Sequence, residues 1–545
     1  MTNKPEFDLC VIGAGPAGII LTLEYARLNP SHKIALVEFG DEKNDNEDNE
    51  LDKSITIENL VNHHPPSECT NKGFGGTSKT WGGRCVMYDP IDFVPRAIIG
   101  DTCTWTRKFY DESLPYKNIA SGYFECGTSF FDMREKPGKI ERLSDRFVDG
   151  VVTDQIVERW SMPTRFDARY KDEIYNNSNI TRFFGFRAAE FSVEHETVHL
   201  LKIRDQAGVV KEVSATKFVL SAGAQESTRL LLSNPQIFQS LGDVPSSLGK
   251  YYQCHLSGKI ASIKLYGDPG KTKYGFEQDP DGVFYRRRLQ FTSEYLEKTN
   301  MLNIAFWLDN PLYFDPSHKS GPMSFMYLMM LVPVLRDKLA PPAIAQSITK
   351  GKQNSIGKHL MNVVKGLPSS LAVPTSIFYK RYLKKRKLPG VFLYNPKNIY
   401  ALHFHAEQIP LEANQMRYEA NTGQLIIDYT VSQKDADEVV RSHDELDKWL
   451  RTSGVGELVY WYPEQERSKI IRENSKDGIH QNGTTRIADS PGKGVVDTNL
   501  RVFGTRNLYV CSSSVFPTSG QANPTYYLGC LAAKLADHLT IEHKV

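Results

Sequence analysis

At 545 residues, 40% hydrophobic and 11% aromatic, the chain has ordinary globular composition and is too long for one compact core, so two or more sub-domains are expected. The net charge of +2 conceals one basic block, residues 336–387, with twelve Lys/Arg against the single acid Asp337; a single block without an interleaved aromatic platform argues against nucleic acid as a partner. No apolar run approaches the ~18 residues that span a bilayer. The N-terminus lacks a secretion pattern, and eight scattered cysteines without CxxC spacing read as reduced thiols of a cytoplasmic protein.

The first predicted unit is "FDLCVIGAGPAGIILTLEYARLNPSHKIALVEFG" (7–40): a buried strand, a glycine turn, a helix and a second strand. Gly13, Gly15 and Gly18 supply G-x-G-x-x-G. The first permits the tight turn, the second lets backbone approach a pyrophosphate, and the third lets the helix pack close to the strand. Free N–H groups at the helix start face the phosphate charge. Glu38 ends the second strand twenty residues after Gly18, where an acid can take ribose hydroxyls. This predicts a dinucleotide site, NAD or FAD.

The next cluster, "GFGGTSKTWGGRCVMYDPIDF" (73–93), places five glycines in eleven residues around the bulky Trp81. Such backbone can pass close to a large flat group and offer it N–H donors. Further on, "FMYLMMLVPVL" (325–335) leads into the basic block, which ends in "IFYKRYLKKRK" (377–387). Two readings stay open: a solvated helical insertion broken by Pro333, Pro341, Pro342, Pro368 and Pro374, or a basic amphipathic surface that meets an anionic membrane or an acidic partner. "ALHFHAEQIP" (401–410) puts His403, His405 and Glu407 on one face of a strand, a pattern open to three readings: a pocket wall, a plain structural strand, or a metal site. Near the C-terminus, "IHQNGTTRI" (479–487) carries His480, and "ANPT" carries Asn523, 43 residues later.

Taken with "FVLSAGAQESTRLLLSN" (218–234), "LGKYYQCH" (248–255) and the long run from His480 to Leu539, these motifs resemble the glucose–methanol–choline (GMC) flavin oxidoreductases over most of the chain. The poorest match is about 256–400. The "WGGRC…DPIDF" run is most similar to bacterial members related to pyranose oxidases and sugar dehydrogenases. The resemblance implies an α/β fold with a Rossmann-type FAD-binding domain (1–100, 180–260 and 480–545). A substrate domain with a largely antiparallel sheet and helices (100–180 and 260–480) would carry the basic insertion 325–390. It implies FAD contacts from Gly13, Gly15, Gly18, Glu38, Gly76, Thr77, Ser78, Trp81, Gly82, Ala222, Ser512, Ser513, Asn523, Pro524 and Thr525. His403, His405, Gln408 and Trp307 become candidates for the substrate pocket, with Trp307 able to stack on a sugar, and no metal is expected.

In such members His480 would be the catalytic base and Asn523 its partner. Alcohol oxidation moves a hydride to the flavin and removes the hydroxyl proton. A neutral imidazole can take that proton, and an amide can hold the oxygen without titrating. Two departures bear on the cofactor. The histidine that binds flavin covalently in pyranose oxidases is Thr80 here, so FAD is expected to be non-covalent. An acid common in the "LYV-x-D-x-S" turn is Ser512. The expected reaction is oxidation of an alcohol on a sugar, glycoside or polyol, with oxygen, a quinone or a redox protein as acceptor, in the cytoplasm or at a membrane surface. Alternatives are a non-sugar alcohol, a GMC-type lyase with non-redox FAD, or an NAD-linked reductase.

Overall fold

The computed structural model describes residues 5–40, 53–136, 142–161, 164–269, 274–334, 336 and 355–541. Residues 337–354 of the basic block, with Pro341 and Pro342, lie outside them.

In strand Phe7–Ile12 the run Leu9–Ile12 is apolar and buried without alternation, the pattern of a strand covered on both faces. It is the centre of a parallel sheet ordered Ile180–Phe184, Ile34–Glu38, Phe7–Ile12, Val210–Leu220, Leu508–Val510. The first half of Val210–Leu220 leaves this sheet and pairs antiparallel with Thr197–Asp205, which pairs with Phe186–Glu194. Helix Pro16–Leu28 packs against helix Pro524–Ile541 on one face. Gly18 permits the first helix to sit close to its own strand and turn, because a Cβ there would lie 1.9 Å from the Gly13 carbonyl oxygen.

A second sheet is antiparallel throughout, ordered Gly456–Tyr460, Leu256–Leu265, Ile399–Ala406, Ile304–Asp309, Leu289–Phe291, Val152–Thr153. Helix Gln433–Ser453 sits beside it. Ser432 and Asp435 form its capping box, and Ala436, Val439, Leu446 and Leu450 face the core. A smaller antiparallel sheet links Arg84–Cys85, Val157–Trp160 and Phe284–Arg287.

Residues 100–180 divide between the two cores. Trp105, Phe109, Tyr110, Phe124, Phe166 and Tyr170 join the core of the parallel sheet, while Val152 belongs to the other. The insertion supplies helices Gly321–Met330, Ile356–Lys365 and Ser369–Phe378. Pro374 lies inside the last of these rather than ending it, on a helix whose only buried residue is Ser370. All eight cysteines are buried free thiols. Among the described residues no helix is long and apolar enough to cross a membrane.

Candidate functional site

A cleft opens at the carboxyl ends of the parallel strands, where ligands bind in sheets of this kind. Its walls include Gly13, Gly15, Glu38, Gly76, Thr77, Ala222, Ser512, Ser513, Pro524 and Thr525. The N-terminus of helix Pro16–Leu28 opens onto it, capped by Gly15 with no side chain over the amides. A Cβ built on Gly15 meets nothing within 4 Å, so the backbone stands clear for a pyrophosphate. Glu38 accepts from the backbone amides of Ala14 (2.8 Å), Gly40 (2.9 Å) and Gly73 (3.0 Å). A carboxylate offers about four acceptor sites, so Glu38 ties the two glycine loops together and keeps capacity for a ribose hydroxyl. Ser221 Oγ, buried in the same wall, has no hydrogen-bond partner among the described residues. These features fit the FAD expected from the sequence.

Other expected contacts stand outside that wall. Gly18 is buried in the helix–strand contact. Ser78 donates to the Gly75 carbonyl (2.6 Å) and accepts from Phe166 N (3.1 Å). Trp81 donates its indole N–H to Thr164 O (3.1 Å) and packs on Phe124 and Phe166. Gly82 borders open space. Thr80 Oγ1 accepts from Asn71 Nδ2 at 2.5 Å.

At one end of the cleft Ile479, Gln481, Pro524 and Thr525 bring the neighbours of His480 and Asn523 into its wall. His480 Nδ1 donates to Asp477 Oδ2 at 2.9 Å, and Asn523 Nδ2 donates to His480 Nε2 at 2.6 Å. A carboxylate only accepts, so the proton sits on Nδ1 and the Nε2 lone pair is directed at Asn523. Asp477 also accepts from the His255 backbone amide (3.0 Å). Burial alone would raise the Asp477 carboxyl, but His480 and His255 beside it hold it well below the usual range.

His255 and His405 stack at 4.2 Å, and both meet the His480 ring edge-on at 5.0 and 5.3 Å. His255 Nε2 donates to Ser519 O (3.2 Å) and His405 Nδ1 to Gln521 O (2.7 Å). Burial depresses the basicity of both rings, and their neighbouring imidazoles add to it for His405. One atom from each of His255, His405, Asp477 and His480 falls within 4.8 Å of the others. Within that set Asp477 and His480 are hydrogen-bonded to each other, an arrangement that can hold a ring proton in place.

Of the four substrate candidates, His405 alone stands beside His480. His403 gives Nε2 to the Ser257 hydroxyl pair (2.9 Å), and burial pulls it down to about 3. Gln408 accepts from Cys254 N (3.0 Å) and donates to Thr430 O (3.0 Å), spending its amide within the protein. Trp307 is stacked by His403 at 4.3 Å, and the Arg84 guanidinium lies 4.6 Å from its ring centre. Glu407 pairs with Arg96 (2.7 Å), both buried, rather than joining the histidines.

Two members of this site escaped the sequence reading. Asp477 stands three residues before His480, a spacing that a turn can fold into a side-chain contact. His255 ends the quoted "LGKYYQCH" segment, but nothing local distinguishes it.

A family model described as GMC oxidoreductase (its C-terminal domain) matches residues 410–532. No curated protein sequence matches significantly. Among solved structures, pyridoxine 4-oxidase from Mesorbium loti is similar at 16% identity and TM-score 0.54, covering 98% of this chain and 99% of that one. An FAD-dependent oxidoreductase from Chaetomium thermophilum is similar at 13% identity and TM-score 0.53, covering 99% and 100%. A fungal aryl-alcohol oxidase gives 12% identity and TM-score 0.53, again covering 99% and 100%. These likenesses extend over the whole fold.

Proposed function

We propose that this chain, which a GMC oxidoreductase model matches over residues 410–532 and which shares its fold with an FAD-dependent oxidoreductase, is an FAD-dependent enzyme that oxidises an alcohol, with His480 as base and Asn523 as the group that holds the reacting oxygen. One observation carries the reading: the unprotonated Nε2 of His480, fixed through Nδ1 by Asp477, accepts from Asn523 at the end of the dinucleotide cleft. FAD, when bound, supplies the acceptor for the hydride that leaves the carbinol carbon. The substrate hydroxyl displaces the Asn523–His480 contact and donates to Nε2. Asn523 then donates to the same oxygen and orients the C–H bond. As the proton reaches Nε2, the imidazolium is stabilised by Asp477, whose carboxylate stays ionised. His255 and His405, kept neutral by burial, add no competing positive charge. With Thr80 where a covalent histidine would stand, the cofactor is held without a bond to the protein.

The test follows the flavin absorbance anaerobically while a panel of sugars, glycosides, polyols, pyridoxine and aryl alcohols is added. The last two enter because two similar structures are named for them. Bleaching by one compound, slowed about 10²–10⁴-fold in His480→Ala, is the expected result. Turnover of a compound without bleaching would establish a lyase instead.

We also propose that the insertion rests on an anionic bilayer. On helix Ile356–Lys365, Ile356, Leu360, Met361 and Val364 are exposed, and Leu371 and Leu383 continue the apolar surface. Residues 355–387 hold eight Lys/Arg and no acid. Exposed apolar side chains framed by one sign of charge suit shallow insertion between anionic headgroups.

A further inference from the structure

We infer that Arg84, Arg286 and Arg288 form an oxyanion subsite beside the catalytic corner, so that the alcohol oxidised carries a phosphate or carboxylate. The claim about substrate rests on the alcohol-oxidising reading above, whereas the subsite itself does not.

The small sheet builds the cluster. Arg84 pairs in register with Trp160, and Arg286 with Glu158, which brings Arg84, Glu158 and Arg286 together. Alternation along "RRR" (286–288) then puts Arg288 on the face of Arg286, while Arg287 turns toward Glu277 and Asp154. All three guanidinium groups converge on one indole: Arg84, Arg286 and Arg288 lie 4.6, 5.2 and 5.7 Å from the Trp307 ring centre. Trp307 in turn lies 6.3 Å from His405, which touches His480. The cluster is thus two rings from the base.

Charge in this cluster does not balance. Among the described residues Glu158 is the carboxylate within it; Arg286 donates to it through Nε at 2.6 Å, and Arg84 stands 3.4 Å away. The nearby acids are committed elsewhere: Asp89 accepts from Gln290, Asn303 and Gln521, and Asp309 pairs with Lys259. Arg288 is 1% exposed, and its Nε and Nη1 have no hydrogen-bond partner among the described residues. Burial pulls this guanidinium down to about 10, still a cation at neutral pH. A buried, unpaired cation is costly to the fold. Its planar fork of donors matches an oxyanion in the bidentate manner. The Arg84 side chain, 27% exposed, marks the solvent side of the cluster.

The experiment begins with FAD-loaded protein titrated calorimetrically with inorganic phosphate, at ionic strength matched with chloride, for wild type, Arg288→Met and Arg84→Met. Expected is saturable binding in wild type, weakened roughly tenfold or more in both variants. Arg288→Met should fold normally, since it removes an unpaired buried charge; Arg84→Met, partly exposed, covers the case in which it does not. Sugar phosphates, sugar acids and their neutral parents are then compared in the anaerobic flavin assay. Either the phosphates or the acids should bleach at the lowest concentration, which identifies the oxyanion. Arg288→Met should raise that half-saturating concentration at least tenfold more than for the neutral parent. Absence of phosphate binding in wild type, or binding unchanged in both variants, overturns the subsite. Arginine-dependent phosphate binding with no alcohol that bleaches the flavin keeps the subsite and removes the alcohol-oxidising reading. Bleaching by neutral alcohols alone keeps that reading and overturns the anionic substrate.

Discussion

Asp477 decides which nitrogen of His480 carries the proton. In Asp477→Asn the amide can donate to Nδ1, which moves the ring proton to Nε2 and removes the lone pair facing Asn523. The rate of flavin reduction should fall about 10²–10⁴-fold while FAD stays bound. Reduction within tenfold of wild type, measured by stopped flow, would show that the carboxylate has no part in the proton transfer. His480 and Asn523 were legible in the sequence because motif residues flank both. Asp477 was not, since its part depends on a turn that aims a carboxylate back at Nδ1. Nor could sequence show that Trp307 lies beside both His403, its partner in strand register, and Arg84, which comes from another sheet.

Elements differ in how plainly they announce themselves. The glycine turn, its helix and the acid at the next strand end are one local pattern, and the cleft assembles where that pattern predicts. The insertion is harder, because its composition permits both a solvated helix pair and a lipid-facing surface, and proline did not mark its ends. Exposure of Leu360 and Val364 (52% and 68%) favours the lipid-facing surface. Vesicles with about 30% anionic lipid should float the protein, and neutral vesicles should not, given about 1 kcal/mol for each basic residue near such a surface. The Leu360→Asp/Val364→Asp double variant, together with wild type in 1 M salt, should stay at the bottom of the gradient. Wild type left at the bottom with anionic vesicles would sink the proposal. Self-association lost in the same variant without any lipid binding would point to a second copy as the occupant.

The whole molecule carries an unusual load of buried neutral histidines. Burial pulls His318 and His443 to about 4 and His403 to about 3, and also lowers His63, His255 and His405. The unfolded chain takes up these protons near the ordinary value of 6.5, whereas the folded chain does so only at lower pH. Stability is therefore present in full above about pH 6.5 and declines as pH falls below it, by up to about 1.4 kcal/mol per pH unit for each such histidine. The melting temperature should be flat from pH 8 to 7 and drop steeply from 6.5 to 5; a flat curve to pH 5 would contradict the burial of these rings. Acid precipitation should also release all the yellow colour into the supernatant, as expected where Thr80 offers no imidazole for attachment.

The cleft has a consequence for how the protein is made. Its first wall is laid down at Ile12 and its last at Leu528, and strand Leu508–Val510 covers an edge that Val210–Leu220 otherwise leaves open. At about 5–20 residues per second, a nascent chain would wait roughly 25–100 s between emergence of the first wall and the last. Throughout that interval the sheet has a bare edge and cannot retain its cofactor, which is the condition under which strands pair with strangers. Yield of coloured protein should therefore depend less on flavin supply than on whether a chaperone guards the unfinished edge during translation.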